Sequence, residues 1–106
     1  MKKWDVRYWT GEKSKSSVEK WFDNLTRDQL KSVAKELKML EFVGNELRMP
    51  HSKALGKGLF ELRERRYGYR IYYTFYKKQT IILLVAGDKK SQEKDIKIAR
   101  NRLVEM

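Results

Sequence analysis

The chain has 106 residues, 41% of them hydrophobic and 37% charged, and carries a formal net charge of +11. This composition excludes a disordered chain, and the length predicts one globular domain covering residues 1–106. The absence of cysteine excludes disulfides and thiolate metal sites, and a single histidine argues against a zinc site built on histidines. We therefore expect no metal ion and no cofactor.

The sequence also predicts a cytoplasmic protein with no membrane association. Its first residues, MKKWDVRYW, lack the apolar core of a signal peptide, and the longest strictly apolar run, residues 81–86, is too short to span a bilayer. The positive charge is spread along the chain, with 25 basic residues against 14 acidic ones. Such a surplus predicts a polyanionic partner, with solubility alone as the alternative interpretation.

The first third of the chain predicts a strand and two helices. Residues 4–10 alternate as a β-strand does, and a loop follows over residues 10–16. Ser16 with Glu19 and Thr26 with Gln29 have the spacing of capping boxes, so each pair is expected to open a helix. The buried stripe of the second helix is predicted from four residues at helical spacing, Leu30, Val33, Leu37 and Leu40.

The remainder of the chain predicts three strands and a final helix. Residues 48–58 contain the only proline and two glycines and are expected to form a loop. Strands are predicted at 59–65, 69–77 and 80–86, and a helix is expected after Ser91 as its N-cap. The predicted class is α+β, with the order β-α-α-β-β-β-α and a twisted, mainly antiparallel four-stranded sheet that has its helices mostly on one face.

The hairpin of the second and third of these strands is the most informative segment. The sequence LRERRYGYR (residues 62–70) holds four arginines in nine residues. Strand alternation predicts that Arg63, Arg70 and Tyr72 lie together on an uncovered sheet face. Because like charges on paired strands repel, we expect a phosphate to neutralise them; a solvated face partly balanced by Glu61 and Glu64 is the alternative.

Three further residues could contribute to chemistry. Lys89 and Lys90 precede the last helix, whose N-terminus favours anions, and simple helix capping explains the nearby acids but not these two lysines. His51 titrates near neutrality and could act as a general base, although a lone histidine in a loop is more often simply exposed.

The second half of the chain resembles the RelE/HigB superfamily of bacterial type II toxins, and more closely its phage Gp49-like, addiction module killer branch. The resemblance is carried by the motifs Glu61-Leu62-Arg63, Gly68-Tyr69-Arg70, the apolar strand at 81–85, and Gly87-Asp88-Lys89 with Gln92, Asp95 and Ile96. The element order agrees as well, so the resemblance covers nearly the whole chain.

The resemblance implies a metal-independent endoribonuclease that cuts mRNA on the ribosome. It also implies a cognate antitoxin, a helix-turn-helix protein similar to HigA, and a toxin that is monomeric alone and of higher order with its antitoxin. The expected catalytic residues are Arg63, Arg70, Lys89, Lys90 and His51. The expected RNA-binding residues are Lys53, Lys57, Arg65, Arg66, Tyr67, Tyr69, Tyr72, Gln92 and Asp95.

Two departures from the family pattern fall on the expected acid–base groups. Val85 stands where some relatives have a histidine, and Asp95 lies near the position of a terminal tyrosine in others. A non-catalytic RNA- or ribosome-binding module that uses the same basic face is therefore the alternative. A third interpretation is a protein that binds only an acidic partner chain.

Overall fold

A computed structural model describes residues 3–11 and 16–106, so most of the predicted loop at 10–16 lies outside the described residues. The elements, in chain order, are β1 (Asp5–Tyr8), α1 (Ser17–Asp23), α2 (Arg27–Val43), a 3₁₀ turn (Gly44–Glu46), β2 (Ser52–Gly56), β3 (Leu59–Glu64), β4 (Tyr69–Tyr76), β5 (Thr80–Asp88) and α3 (Gln92–Val104). The described part of the chain contains no helix long and apolar enough to cross a membrane.

The strands form a five-stranded sheet in the order β1-β5-β4-β3-β2. β1 pairs with β5 in parallel, and the other neighbours are antiparallel. The α+β class and the mainly antiparallel sheet are confirmed, but the prediction of four strands is wrong. The additional strand is β2, which lies in the segment that was expected to be a loop.

β2 forms because residues 57 and 58 make a tight hairpin turn with β3. Lys57 and Gly58 both have positive φ, at 53° and 83°, which matches the two-residue turns that suit the twist of paired strands. Ser52 faces inward, and its Oγ lies 2.5 Å from the hydroxyl of Tyr73. The strand is short and lies at the sheet edge, so its pattern of buried residues is too brief to be recognised from sequence.

The first two helices begin where the capping patterns predict. The Ser16 hydroxyl accepts a hydrogen bond from the amide of Glu19 at 2.9 Å, and both hydrogen bonds of the Thr26–Gln29 capping box are present. Val33 and Leu40 of α2 are fully buried, but Leu30 is 43% exposed, so the predicted buried stripe is wrong at that residue.

The sheet separates two apolar cores. α1 and α2 pack on one face, where Val18, Val33 and Leu40 meet Leu62 and Ile71. α3 packs on the other face, where Ala99 meets Tyr72, Leu84 and Val85. The sheet face that was expected to be uncovered is therefore partly covered by α3, and this helix determines the surroundings of Arg63 and Arg70.

Candidate functional site

Arg63 and Arg70 lie directly opposite each other on β3 and β4, as the strand alternation predicts. Both belong to the sheet face on which α3 packs, beyond the N-terminal end of that helix. They are only partly accessible, since 25% of the Arg63 side chain and 14% of the Arg70 side chain is exposed. Guanidinium groups on directly opposed strand residues repel each other unless an anion lies between them.

Glu61 is that anion. Its side chain is fully buried, and Oε1 accepts hydrogen bonds from Arg63 Nε at 2.9 Å and from Arg70 Nη1 at 3.2 Å. Burial alone would raise the pKa of Glu61, but the hydrogen bonds from Arg63 and Gln92 and the two arginine charges outweigh it and hold the pKa below its usual value. The carboxylate balances one of the two positive charges, so the cluster keeps a net charge of +1.

Gln92 connects this cluster to α3. Its Nε2 donates to the second carboxylate oxygen of Glu61 at 2.7 Å, so all three donors converge on one buried carboxylate. Gly87 of β5, the neighbour of Arg70 in the sheet, lets the start of α3 approach closely, because a Cβ at this position would collide with Asp95 and Ser91. The geometry of the arginine pair therefore depends on where α3 begins.

Asp95 is buried and accepts a hydrogen bond from the Ser91 hydroxyl at 2.5 Å. Ser91 is the N-cap residue, as predicted, but its side chain makes no capping hydrogen bond to the helix. The Ser91 hydroxyl instead connects Asp95 in the first turn of α3 with the backbone amide of Asp88 at the end of β5. Asp95 therefore holds a structural contact within the chain, and its contact with RNA stays a prediction.

Tyr72, one of the expected RNA-binding residues, lies beneath α3 with no exposed surface. Burial, followed by the charge of Glu61, raises the pKa of its hydroxyl well above the usual value. Among the described residues, neither the Tyr72 hydroxyl nor Arg70 Nε has a hydrogen-bond partner. Tyr72 is thus a core residue whose polar end borders the arginine cluster.

The turn between β3 and β4 is held from the opposite face by Glu64. This buried carboxylate accepts hydrogen bonds from the backbone amides of Arg66 and Tyr67, both at 3.0 Å, and from the Ser32 hydroxyl at 2.6 Å. Glu64 therefore does not balance the arginine pair. Arg65 and Arg66 are exposed on the turn. Strand alternation would place Arg65 on the same sheet face as Arg63, but Arg65 instead lines the cleft beside α2.

Two tyrosines accompany the turn. Tyr67 stacks on Tyr69 with a centroid distance of 5.7 Å, and the guanidinium of Arg66 lies 5.3 Å from the Tyr67 ring. Tyr69 also packs against Trp21 of α1 at 5.0 Å and is therefore part of the core around α1 and α2. Of the three tyrosines that were expected to bind RNA, Tyr67 is the one on the exposed turn.

Lys89 and Lys90 lie exposed in the turn between β5 and α3. The backbone amides of Lys90 and Ser91 donate to the Asp88 carboxylate at 2.9 and 3.1 Å. These two amides are therefore already hydrogen-bonded to a carboxylate of the chain itself. An external anion could bind this turn through the lysine side chains.

The three remaining basic candidates lie in different places. Lys53 pairs with Glu61 in register and is exposed on the sheet face of the arginine pair. Lys57 lies in the turn at the other end of β3, away from Arg63. The Nδ1 atom of His51 lies 3.0 Å from Glu36 Oε1 on α2, so its ring faces the helical side of the sheet edge and not the arginine cluster.

The residue that sequence reasoning undervalued is Glu61. It alternates with Arg63 along β3, and this spacing alone could have suggested an ion pair on the strand. Its full burial could not be foreseen, because that depends on α3 lying over the same sheet face. The described residues contain no group of three or more histidine or acidic side chains arranged to hold a metal ion.

Two solved structures have the same fold. A mutant of the E. coli toxin RelE in the free state matches with a TM-score of 0.62 over 90% of this chain and 96% of that one, at 13% sequence identity. The isolated E. coli RelE toxin matches with a TM-score of 0.57 over 90% and 98% of the two chains, at 17% identity. The fold is therefore that of RelE, as the resemblance predicted.

The family follows from the sequence itself. Residues 20–104 match the phage-derived Gp49-like protein family, and this chain belongs to that family. An uncharacterised protein of Haemophilus influenzae is 34% identical over 90 residues, which cover 83% of this chain and 87% of the relative. Both the fold and the family agree with the resemblance found in the strand and helix motifs.

Proposed function

We propose that this protein is the toxin of a type II toxin–antitoxin pair and acts as a metal-independent endoribonuclease that cleaves mRNA on the ribosome. The observation that carries the proposal is the pair of arginines, Arg63 and Arg70, held side by side by the buried carboxylate of Glu61. Membership of the Gp49-like family and the RelE fold support the same conclusion.

The arginine pair suits a phosphodiester because each guanidinium donates several hydrogen bonds in one plane. Glu61 engages Arg63 Nε and Arg70 Nη1, and Arg70 Nε is buried, so the donors proposed for phosphate oxygens are the two Nη groups of Arg63 and Nη2 of Arg70. The net charge of +1 that remains would increase the attraction for a phosphate. During cleavage, the same two groups would stabilise the negative charge that develops on the phosphorane.

RNA supplies its own nucleophile in this mechanism. A base removes the proton of the 2′-hydroxyl, whose oxygen attacks the adjacent phosphorus while the bond to the 5′-oxygen breaks. The leaving 5′-oxygen takes up a proton from water, so the products are a 2′,3′-cyclic phosphate and a 5′-hydroxyl. Lys89 or Lys90 is the proposed base, since both are exposed on the turn that follows Gly87, the neighbour of Arg70 in the sheet. Tyr67 is the proposed base-stacking residue.

The proposed partners are mRNA on the ribosome and a helix-turn-helix antitoxin similar to HigA. Binding of the antitoxin would cover the basic surface around Arg63 and Arg70 and block access of RNA to it. The free toxin is expected to be a monomer, and the complex with its antitoxin is expected to be of higher order.

The test is brief expression in a bacterial host, followed by mapping of new 5′ ends in abundant mRNAs by primer extension. We expect new ends within translated regions for the wild-type chain and for Lys78→Ala, a distant surface control, and none for Arg70→Ala. Because Arg70→Ala removes a donor from Glu61, its melting temperature is measured in parallel. Full cleavage by the variant carrying both Arg63→Ala and Arg70→Ala would overturn the assignment.

The second candidate function is a non-catalytic RNA-binding module that uses the same surface. One observation favours it: the side chains that could assist the lysines in proton transfer are occupied, since His51 faces Glu36, Asp95 holds Ser91 and Tyr72 is buried. This candidate predicts RNA binding without new 5′ ends in cells that contain folded protein.

A further inference from the structure

A second basic surface lies on the opposite side of the sheet from Arg63 and Arg70. A cleft of about 660 Å³ separates α2 from the turn between β3 and β4. Lys31 and Lys35 line it from the helix, one turn apart, and Arg65 and Arg66 line it from the strand turn. All four side chains are exposed, and the cleft contains no residue of the cluster around Glu61.

Two of the three acidic residues that line the cleft are already engaged. Glu64 is buried and binds the Ser32 hydroxyl and the backbone amides of the turn. Glu36 lies 3.0 Å from His51. Asp28, in the first turn of α2, is the third acid. Two of the three carboxylates therefore have partners within the chain, and their contacts connect α2 to the neighbouring strands.

The four cations, by contrast, make no ion pair within residues 3–11 and 16–106. Lysines four residues apart on a helix repel each other, and Arg65 and Arg66 are neighbours on a tight turn. The four cations outnumber the three carboxylates among the lining residues, so the cleft keeps a net charge of +1, which favours binding of a polyanion.

We propose that this cleft is a second phosphate-binding surface for the same RNA strand whose scissile phosphate lies at Arg63 and Arg70. The inference rests on the proposed function and extends it. Arg65 is two residues from Arg63, so their Cα atoms are at most roughly 7 Å apart. An RNA strand leaving the arginine pair across the turn would therefore meet Arg65 and Arg66 next, and then Lys31 and Lys35.

Tyr67 favours RNA over an acidic peptide as the occupant. It lies on the turn between the two basic surfaces, with Arg66 beside its ring. A row of cations with a half-buried aromatic ring among them resembles the sites of proteins that bind single-stranded nucleic acids, in which phosphates pair with the cations and a base stacks on the ring. Every RNA base has a planar face that can stack on the ring, whereas an acidic peptide would need an aromatic side chain at that position.

The experiment measures binding of two fluorescent RNAs to the full chain by anisotropy. Both carry 2′-O-methyl groups, which remove the nucleophile and prevent cleavage. One is a trinucleotide that spans only the arginine pair, and the other has about 12 nucleotides, within the length that single-strand sites cover. The variant is K31Q/K35Q, and the matched control is K20Q/K78Q, which makes the same change in net charge at exposed lysines on α1 and beyond β4.

We expect K31Q/K35Q to weaken binding of the longer RNA about fivefold to tenfold. Its slope of log affinity against log salt should fall by about 1.4, which corresponds to two lost phosphate contacts on a single strand. The trinucleotide should bind K31Q/K35Q as it binds the wild type, and K20Q/K78Q should leave both affinities within about twofold of the wild type. Melting temperatures confirm that each variant is folded.

The outcomes separate this inference from the proposed function. If K31Q/K35Q and K20Q/K78Q bind the longer RNA equally well, the second site is wrong while the proposed function stands. The same conclusion follows if K31Q/K35Q loses only binding of an acidic peptide, because the cleft would then serve a protein partner. If the wild-type chain binds neither RNA, the second site is overturned, and the mapping of new 5′ ends in cells decides separately whether the proposed function stands.

Discussion

At the scale of single residues, Glu61 is the side chain on which the arrangement of the site depends. It is fully buried, and it takes one hydrogen bond from each of Arg63, Arg70 and Gln92. A buried carboxylate is tolerated only when it is paired and hydrogen-bonded, and removing one partner leaves the others uncompensated. The Glu61 carboxylate therefore both holds the two arginines in place and offsets part of their positive charge.

Glu61→Gln tests this dependence. The amide keeps the size of the side chain but removes the charge, so we expect the free energy of unfolding to fall by about 2 kcal/mol, typical of charged hydrogen bonds. Because the pKa of Glu61 is lower in the folded state, its contribution is present above the ordinary value of 4.5 and is lost as the pH falls through the folded pKa. The difference in free energy of unfolding between the wild type and Glu61→Gln, measured by urea unfolding, should therefore become smaller at acidic pH.

The control for this prediction is Glu46→Gln, which changes an exposed glutamate on the 3₁₀ turn. It should alter stability by less than about 0.5 kcal/mol, as surface substitutions usually do. A loss of stability in Glu61→Gln that persists unchanged at low pH would show that the carboxylate charge is not what holds the arginines.

The two tyrosines that sequence analysis treated alike are expected to behave differently. Tyr67 lies on the turn, whereas Tyr72 is fully buried and its hydroxyl has no partner among the described residues. We expect Tyr67→Ala to weaken RNA binding by about 1–3 kcal/mol, the range of one base stack, with little change in melting temperature. Tyr72→Phe should leave RNA binding unchanged and keep the protein folded, since the ring keeps its packing beneath α3.

Anisotropy with a non-cleavable RNA and thermal unfolding check both halves of this prediction. Equal losses of affinity in Tyr67→Ala and Tyr72→Phe would contradict it, because a residue beneath α3 could then affect RNA only by altering the fold.

At the scale of elements, the sequence predicted best what short-range chemistry determines. Ser16 and Thr26 start their helices because each side chain caps a nearby amide, a contact that depends on local spacing alone. β2 was missed because its inward residues are few and its partner strand is supplied by the tertiary fold. The opposition of Arg63 and Arg70 was predictable from alternation, whereas the burial of Glu61 and Tyr72 was not, since it requires the position of α3.

Gly87 links β5 to the start of α3 and provides a test of how that position is set. A Cβ there would collide with the Asp95 carboxylate and the Ser91 hydroxyl, so Gly87→Ala must displace the first turn of α3. We expect a loss of about 1–3 kcal/mol in stability, the usual cost of overpacking, together with weaker RNA binding because Gln92 moves away from Glu61. Denaturant unfolding and anisotropy measure the two effects.

The double variant carrying Gly87→Ala and Asp95→Ala shows whether the collision is the cause. Removing the carboxylate removes the closer of the two collisions and leaves the one with Ser91, so the combined loss should be smaller than the sum of the two single losses. Strict additivity would mean that Gly87→Ala does not act through its collision with Asp95.

At the scale of the whole molecule, the sheet is a middle layer with an apolar core on each side. Leu62 belongs to the core under α1 and α2, and Leu84 belongs to the core under α3; both are fully buried. β4 contributes Ile71 and Tyr73 to the first core and Tyr72 to the second, so the two cores share a strand. Residues on one face therefore cannot lose their packing without disturbing the strand that supports the other face.

This sharing predicts that both cores unfold in one cooperative transition. Leu62→Ala and Leu84→Ala should each lower the free energy of unfolding by about 2–5 kcal/mol, and circular dichroism and tryptophan fluorescence should give the same midpoint for each variant. Leu30→Ala, on the exposed side of α2, is the control and should cost much less. If Leu84→Ala instead separated an early loss of helical signal from a later change in fluorescence, α3 would be an independently unfolding layer. The arginine cluster would then be assembled only while α3 is docked.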